Sequence, residues 1–168
     1  MKLTRRDAIV ALTAMGIGAG EVGRAFHSSE GEDAIVRRML AAAETVYPST
    51  VDVNDEFVST YVLGRLTHRE NHRTELERAV TELNDHARRV TGRAFEDLAV
   101  DRRRDVFRDL GVDRALSNPD GTVEEQIRYY VVNDLLYVLF TSPVGGTLVG
   151  FENPPGYPGG RESYQRGP

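Results

Sequence analysis

The chain has 168 residues, 28% of them charged, with a net charge of −5 and no cysteine. Disulfides, thiolate metal sites and a lipidated cysteine anchor are thereby excluded, and an acidic chain lacks the basic face that nucleic-acid binding needs. The length suffices for one domain with a real core.

Lys2, Arg5 and Arg6 stand ahead of an apolar stretch over residues 8–19, diluted by Thr13, Gly16 and Gly18. About 12 apolar residues match the h-region of a signal. At ~1.5 Å rise per residue they reach about 18 Å, short of the ~30 Å core of a bilayer. The Arg5–Arg6 pair before a weakly apolar run reads as a twin-arginine export address. Residues 1–25 are therefore set apart as a signal read by the twin-arginine translocase, and the protein is expected outside the cytoplasm. That route carries folded passengers, which favours a protein that assembles with a partner before export.

From residue 30 the pattern is helical. Ile35, Val36, Met39, Leu40, Ala43, Val46 and Tyr47 form one apolar stripe, and Pro48 ends it. Asp52 or Asn54 can cap a second helix with Phe57, Val58, Tyr61, Val62 and Leu66 on its inner face. After a polar stretch at 67–73, either a break or an exposed turn, Leu76, Ala79, Val80, Leu83, Ala87 and Val90 mark the next stripe. It stops at Thr91-Gly92. A short helix is expected over 101–110, capped by Asp101 and stopped by Gly111. Its Arg102-Arg103-Arg104 run, flanked by aspartates, reads as a solvated face. Thr122 and Glu125 form a capping box for a helix reaching about residue 140, whose second half is apolar on every side except at Asn133 and Asp134. Such a helix is buried in the core or under a partner.

Residues 141–168 hold seven of the 16 glycines and five of the seven prolines, which argues against helix or sheet. Leu148, Val149, Phe151 and Tyr157 are spaced along this tail as anchors of an extended arm. The reading is an all-α single bundle of four to six helices over residues 30–140, with an irregular Gly/Pro-rich arm over 141–168.

Chemistry is sparse. His68 and His72 are four apart with Glu70 between them, and on one helix both imidazoles would share a face. The zinc-protease pattern requires Glu directly after the first His, where Arg69 stands. There is no nucleophile elbow and no phosphate loop. The glycines at 16, 18 and 20 follow no strand. No catalytic, cofactor-binding or metal residue is assigned in this chain.

Thr45-Val46-Tyr47-Pro48, then the run from Gly92 to Leu98, then the arginine-rich helix to Leu110, then Tyr137 to Pro143 and Gly150 to Tyr157 follow one another in a fixed order. In that order and spacing the chain resembles the gluconate 2-dehydrogenase subunit 3 family from about residue 35 to 157. The resemblance implies a non-catalytic accessory subunit that supplies the export signal and supports folding of a large flavoprotein. That partner binds FAD and oxidises a sugar or polyol, and a cytochrome c subunit often receives the electrons. The complex is expected in the periplasm, associated with the membrane through its other subunits. Tyr130, Tyr137, Phe140, Phe151 and Tyr157 are the expected partner contacts. A free-standing exported helical binding or scaffold protein, and a metal-dependent enzyme using His68, Glu70 and His72, are the alternatives.

Overall fold

The structure, a computed structural model, describes residues 1–14, 30–68 and 70–150. The side chains of Leu66, His68 and Glu70, and the arm residues Phe151 and Tyr157, lie outside what it describes.

The helical stripes read from the sequence become the core. Helix α1 spans Arg5–Ala14, α2 Glu30–Val46, α3 Asp55–His68 and α4 Glu70–Thr91. A 3-10 turn, Phe95–Asp97, leads to α5 at Val100–Asp109. A continuous rod follows, made of α6 (Val123–Ile127), a π-helical segment (Arg128–Asn133) and α7 (Asp134–Thr141). The short α8 spans Pro143–Leu148. No strand occurs among the described residues; Lys2 and Asp52 form an isolated bridge. The fold is the all-α bundle that the periodicity predicts. No helix of the described residues is long and apolar enough to cross a membrane.

Helix α2 is central, packing against α3, α4, α5 and the rod. Ile35, Val36, Met39, Ala43 and Tyr47 are buried there. Asn54 caps α3: its Oδ1 accepts the Phe57 N–H at 2.8 Å. Helix α4 buries Leu76, Ala79, Val80, Leu83 and Ala87, whereas Val90, one residue before the helix end, is exposed. Gly92, at φ 75°, terminates it in a conformation that favours glycine. The Phe95 N–H donates to Asn84 Oδ1 at 3.2 Å, and the Phe95 and Phe107 rings stack 5.4 Å apart. The segment after Gly92 is thereby locked between α4 and α5. The capping box forms as read, with the Thr122 N–H donating to Glu125 at 3.0 Å.

Three features depart from or extend the sequence reading. First, the described part of the expected signal segment, residues 1–14, packs on the bundle. Thr4 and Asp7 cap α1, the Thr4 N–H and hydroxyl both donating to Asp7 Oδ2 at 2.7 Å. Leu3, Ala8, Ala11 and Leu12 are fully buried against α3 and α7. Gly64 on α3 makes the seat: a Cβ there would come within 2.5 Å of Leu12 Cδ1. An apolar run amphipathic enough to enter a core serves as core when a complementary groove exists.

Second, Arg103 is not on a solvated face. It is 8% exposed, and its guanidinium donates to the Phe95, Ala41 and Glu96 carbonyls and to Glu44. Arg102 and Arg104 do stay outside, paired with Asp105 and Asp101. Asp101 therefore sits in the first turn of α5, and Ala99 occupies the cap position without a side-chain bond.

Third, the tail begins with a helix. Ser142 caps α8, accepting from the Gly145 N–H at 3.2 Å, and its hydroxyl donates to the Leu139 carbonyl at 2.6 Å. Pro143 takes the first helical position, where its missing N–H costs nothing. A Cβ at Gly145 would run into the Leu139 carbonyl. Thr-Ser-Pro-Val-Gly-Gly is thus a tight helix–helix corner.

The pairing of His68 with His72 falls on residues 68–70, whose side chains lie outside the described residues.

Candidate functional site

The rod over residues 123–141 carries both surfaces of functional interest. Its inner side enters the core through Ile127, Val131, Leu135, Val138 and Leu139. Its step changes at the π segment, a local widening frequent at functional sites. Just beyond it, the buried hydroxyls of Tyr61 and Tyr47 donate to the Asp134 and Leu135 carbonyls at 3.2 and 2.7 Å. Burial pushes the Tyr47 phenol far above its usual range, so it stays a donor.

On the outer side of α7, Tyr137 and Phe140 stand one turn apart, 48% and 45% exposed. Val149, 50% exposed, follows α8, which packs on α7. Tyr137 and Phe140, three apart on one helix, form an exposed apolar face on α7. Of the five partner contacts expected from the sequence, Tyr137 and Phe140 are placed together and exposed. Tyr130, 7% exposed, lies within the π segment and lines the cleft against α4 rather than the outer side of α7. Phe151 and Tyr157 lie outside the described residues. Arg5 and Arg6 are exposed at the start of α1.

The second surface is a cleft of about 1030 Å³ between the first half of α4, the loop at Pro119 and Asp120, and the rod. At its base His72 Nε2 meets Asp134 Oδ2 at 2.8 Å, with both side chains about one-tenth exposed. The His72 and Tyr130 rings lie 5.3 Å apart, and Tyr129 packs edge-on to Tyr130 at 4.8 Å. Arg78 Nη2 donates to Gln126 at 2.7 Å and pairs with Glu75 at 2.8 Å. Sequence reasoning singled out His72 for a metal and missed its partner, since Asp134 is 62 residues away. Among the described residues no group of three or more His, Asp or Glu side chains is placed to hold a metal ion.

No curated protein and no solved structure matches the chain significantly. A family model described as gluconate 2-dehydrogenase subunit 3 matches residues 33–159. That stretch takes in α2 through α8 and most of the chain, and the chain therefore belongs to the gluconate 2-dehydrogenase subunit 3 family, whose name is that of one subunit of an oxidoreductase complex.

Proposed function

We propose that the chain is the non-catalytic small subunit of an exported, FAD-dependent sugar or polyol dehydrogenase, and that it escorts and stabilises the large flavoprotein. Membership of the family carries this reading. The exposed Tyr137–Phe140 face supports it: large apolar side chains grouped at a surface mark interaction sites, and aromatic residues are enriched at interface hot spots. The partner contact centres on Tyr137 and Phe140 and continues along the arm through Phe151 and Tyr157. FAD sits in the large subunit, and a cytochrome c subunit takes the electrons. The complex works in the periplasm, held to the membrane through its other subunits.

Arg5 and Arg6 are the address for the twin-arginine translocase in this reading. Their side chains are exposed while Leu12 and Ala8 are buried. A receptor that also grips the apolar run must draw α1 out of its seat on α3.

Co-purification of the yellow partner chain tests the reading. Tyr137→Ala with Phe140→Ala removes two exposed anchors, each of the kind that costs ~2 kcal/mol or more at a hot spot, and recovery of the flavoprotein falls at unchanged thermal stability of the small subunit. Arg5→Lys with Arg6→Lys leaves co-purification intact and holds dehydrogenase activity in the cytoplasm. Undiminished recovery of the flavoprotein with the double alanine variant sinks the docking face; normal export of activity with the lysine variant sinks the escort role.

A further inference from the structure

Helix α1 combines two properties that conflict. Arg5 and Arg6 are exposed, yet the apolar run behind them is largely hidden: Ala8, Ala11 and Leu12 are fully buried and Ile9 packs on the core. The residues ahead of the pair are tied down as well. Leu3 is fully buried, its N–H donates to the Asp52 carbonyl at 3.0 Å, and the Asp52 N–H donates to the Met1 carbonyl at 2.7 Å. The arginine pair is pinned on both sides. A receptor that meets the docked chain finds the charges without the apolar run.

The groove that takes α1 is walled by α3 and α7. Gly64 supplies the notch for Leu12, whose Cγ stands 3.5 Å from the position of a Cβ at residue 64. Two features oppose the docked state. Thr60, one turn before Gly64 on the same helix face, is 1% exposed and its hydroxyl has no hydrogen-bond partner; a buried unpaired hydroxyl carries a desolvation penalty. Arg5 and Arg6 stand in the first turn of α1, at the positive end of the helix dipole, with Asp7 as the acidic residue of that turn. Ten residues are also too few to stay helical alone in water, so release from the groove unfolds α1 and presents the whole address.

We propose, on the reading of Arg5 and Arg6 as a twin-arginine address, that the α3–α7 groove is an internal binding site for the export signal. It holds residues 5–14 as a docked helix and competes with the translocase for them. The address is read only from the undocked state. Apparent affinity for the receptor falls with the undocked fraction, so each ~10-fold strengthening of docking weakens recognition ~10-fold.

A removable lock on α1 tests this. The chain has no cysteine, so Leu12→Cys with Gly64→Cys introduces a single disulfide, and the 3.5 Å approach is compatible with the ~3.5–4.5 Å between its Cβ atoms. The full chain with this pair is offered, oxidised or reduced, to inverted membrane vesicles that contain the twin-arginine translocase, and protease-protected chain is measured. Oxidation is expected to lower uptake ~10-fold or more, and reductant to restore it. Gly64→Leu, which fills the notch, is expected to speed amide exchange of residues 8–12 and to raise uptake by ~3-fold or more. Uptake that survives Arg5→Lys with Arg6→Lys refutes the address itself. Uptake that needs both arginines but is equal in oxidised and reduced chains refutes the masking alone. Failure of the disulfide to form, or faster exchange in Gly64→Leu without greater uptake, also overturns the internal site.

Discussion

Arg103→Ala is expected to be the most costly of three neighbouring substitutions that look equivalent in sequence. Its guanidinium donates through Nε to the Phe95 carbonyl at 3.3 Å, through Nη1 to Ala41 O at 3.2 Å and Glu44 Oε2 at 2.6 Å, and through Nη2 to Glu96 O at 2.9 Å. These bonds join α5 to α2 and to the 3-10 turn. Hydrogen bonds from a charged donor are worth about 1.5–3 kcal/mol each, but their sum overstates the loss. Glu44, with a side chain 42% exposed, is rehydrated once Arg103 is gone. The remaining loss is about 3–4 kcal/mol, within the ~3–5 kcal/mol typical of breaking a buried pair. In a domain of this size that lowers the melting temperature by roughly 10 °C. Arg103→Lys keeps the charge and loses the planar fork, for a cost of about 2 kcal/mol. Arg102→Ala and Arg104→Ala remove exposed pairs and stay within ~0.5 kcal/mol of wild type. Urea unfolding followed by far-ultraviolet circular dichroism measures all four. Equal costs for the three alanine variants, or less than ~1 kcal/mol for Arg103→Ala, would refute the assignment of Arg103 as a buried tie.

Leu12→Ala tests whether α1 is part of the domain. Leu12 is fully buried, and such truncations cost ~2–5 kcal/mol when the helix stays seated; if docking of α1 is weaker than that, the helix detaches and amide exchange of residues 5–12 accelerates. Unchanged melting together with unchanged exchange would contradict the packing. His86 gives a pH dependence. Its pKa is lowered by burial first and then by Arg89, against a smaller pull from Asp109; Arg89 donates to Nδ1 at 3.2 Å, and Nε2 is buried without a partner. The folded state therefore favours the neutral ring. Its contribution is complete above the unfolded value of about 6.5 and is lost as pH falls from there through the lowered folded value. His86→Gln should flatten that part of a stability-against-pH curve, and an identical slope in the two proteins would dismiss His86 as its source.

The docking face was partly legible. Tyr137 and Phe140 stand three apart in an apolar helix, and a spacing of three places both on one side. Which side faces out depends on where α2 and α4 pack, and the π segment shifts that register for every residue before it. Tyr130, inside that segment, lines the cleft against α4 instead. The cleft was not legible at all. His72 and Asp134 are brought together only when α4 crosses the rod, and nothing near either residue signals the other.

Local rules in the sequence determined the all-α class, the inner stripes of α2, α3 and α4, the stop at Gly92 and the cap at Thr122, since each depends on residues within a turn or two. Tertiary structure alone decided the fate of the charged and weakly apolar segments. Arg103 is buried and Arg102 is not, because only one of them points at the Ala41 and Phe95 carbonyls. The run after Arg5 and Arg6 joins the core because Gly64 leaves room for Leu12. A side chain's environment is set by what packs opposite it, and that information lies on distant parts of the chain.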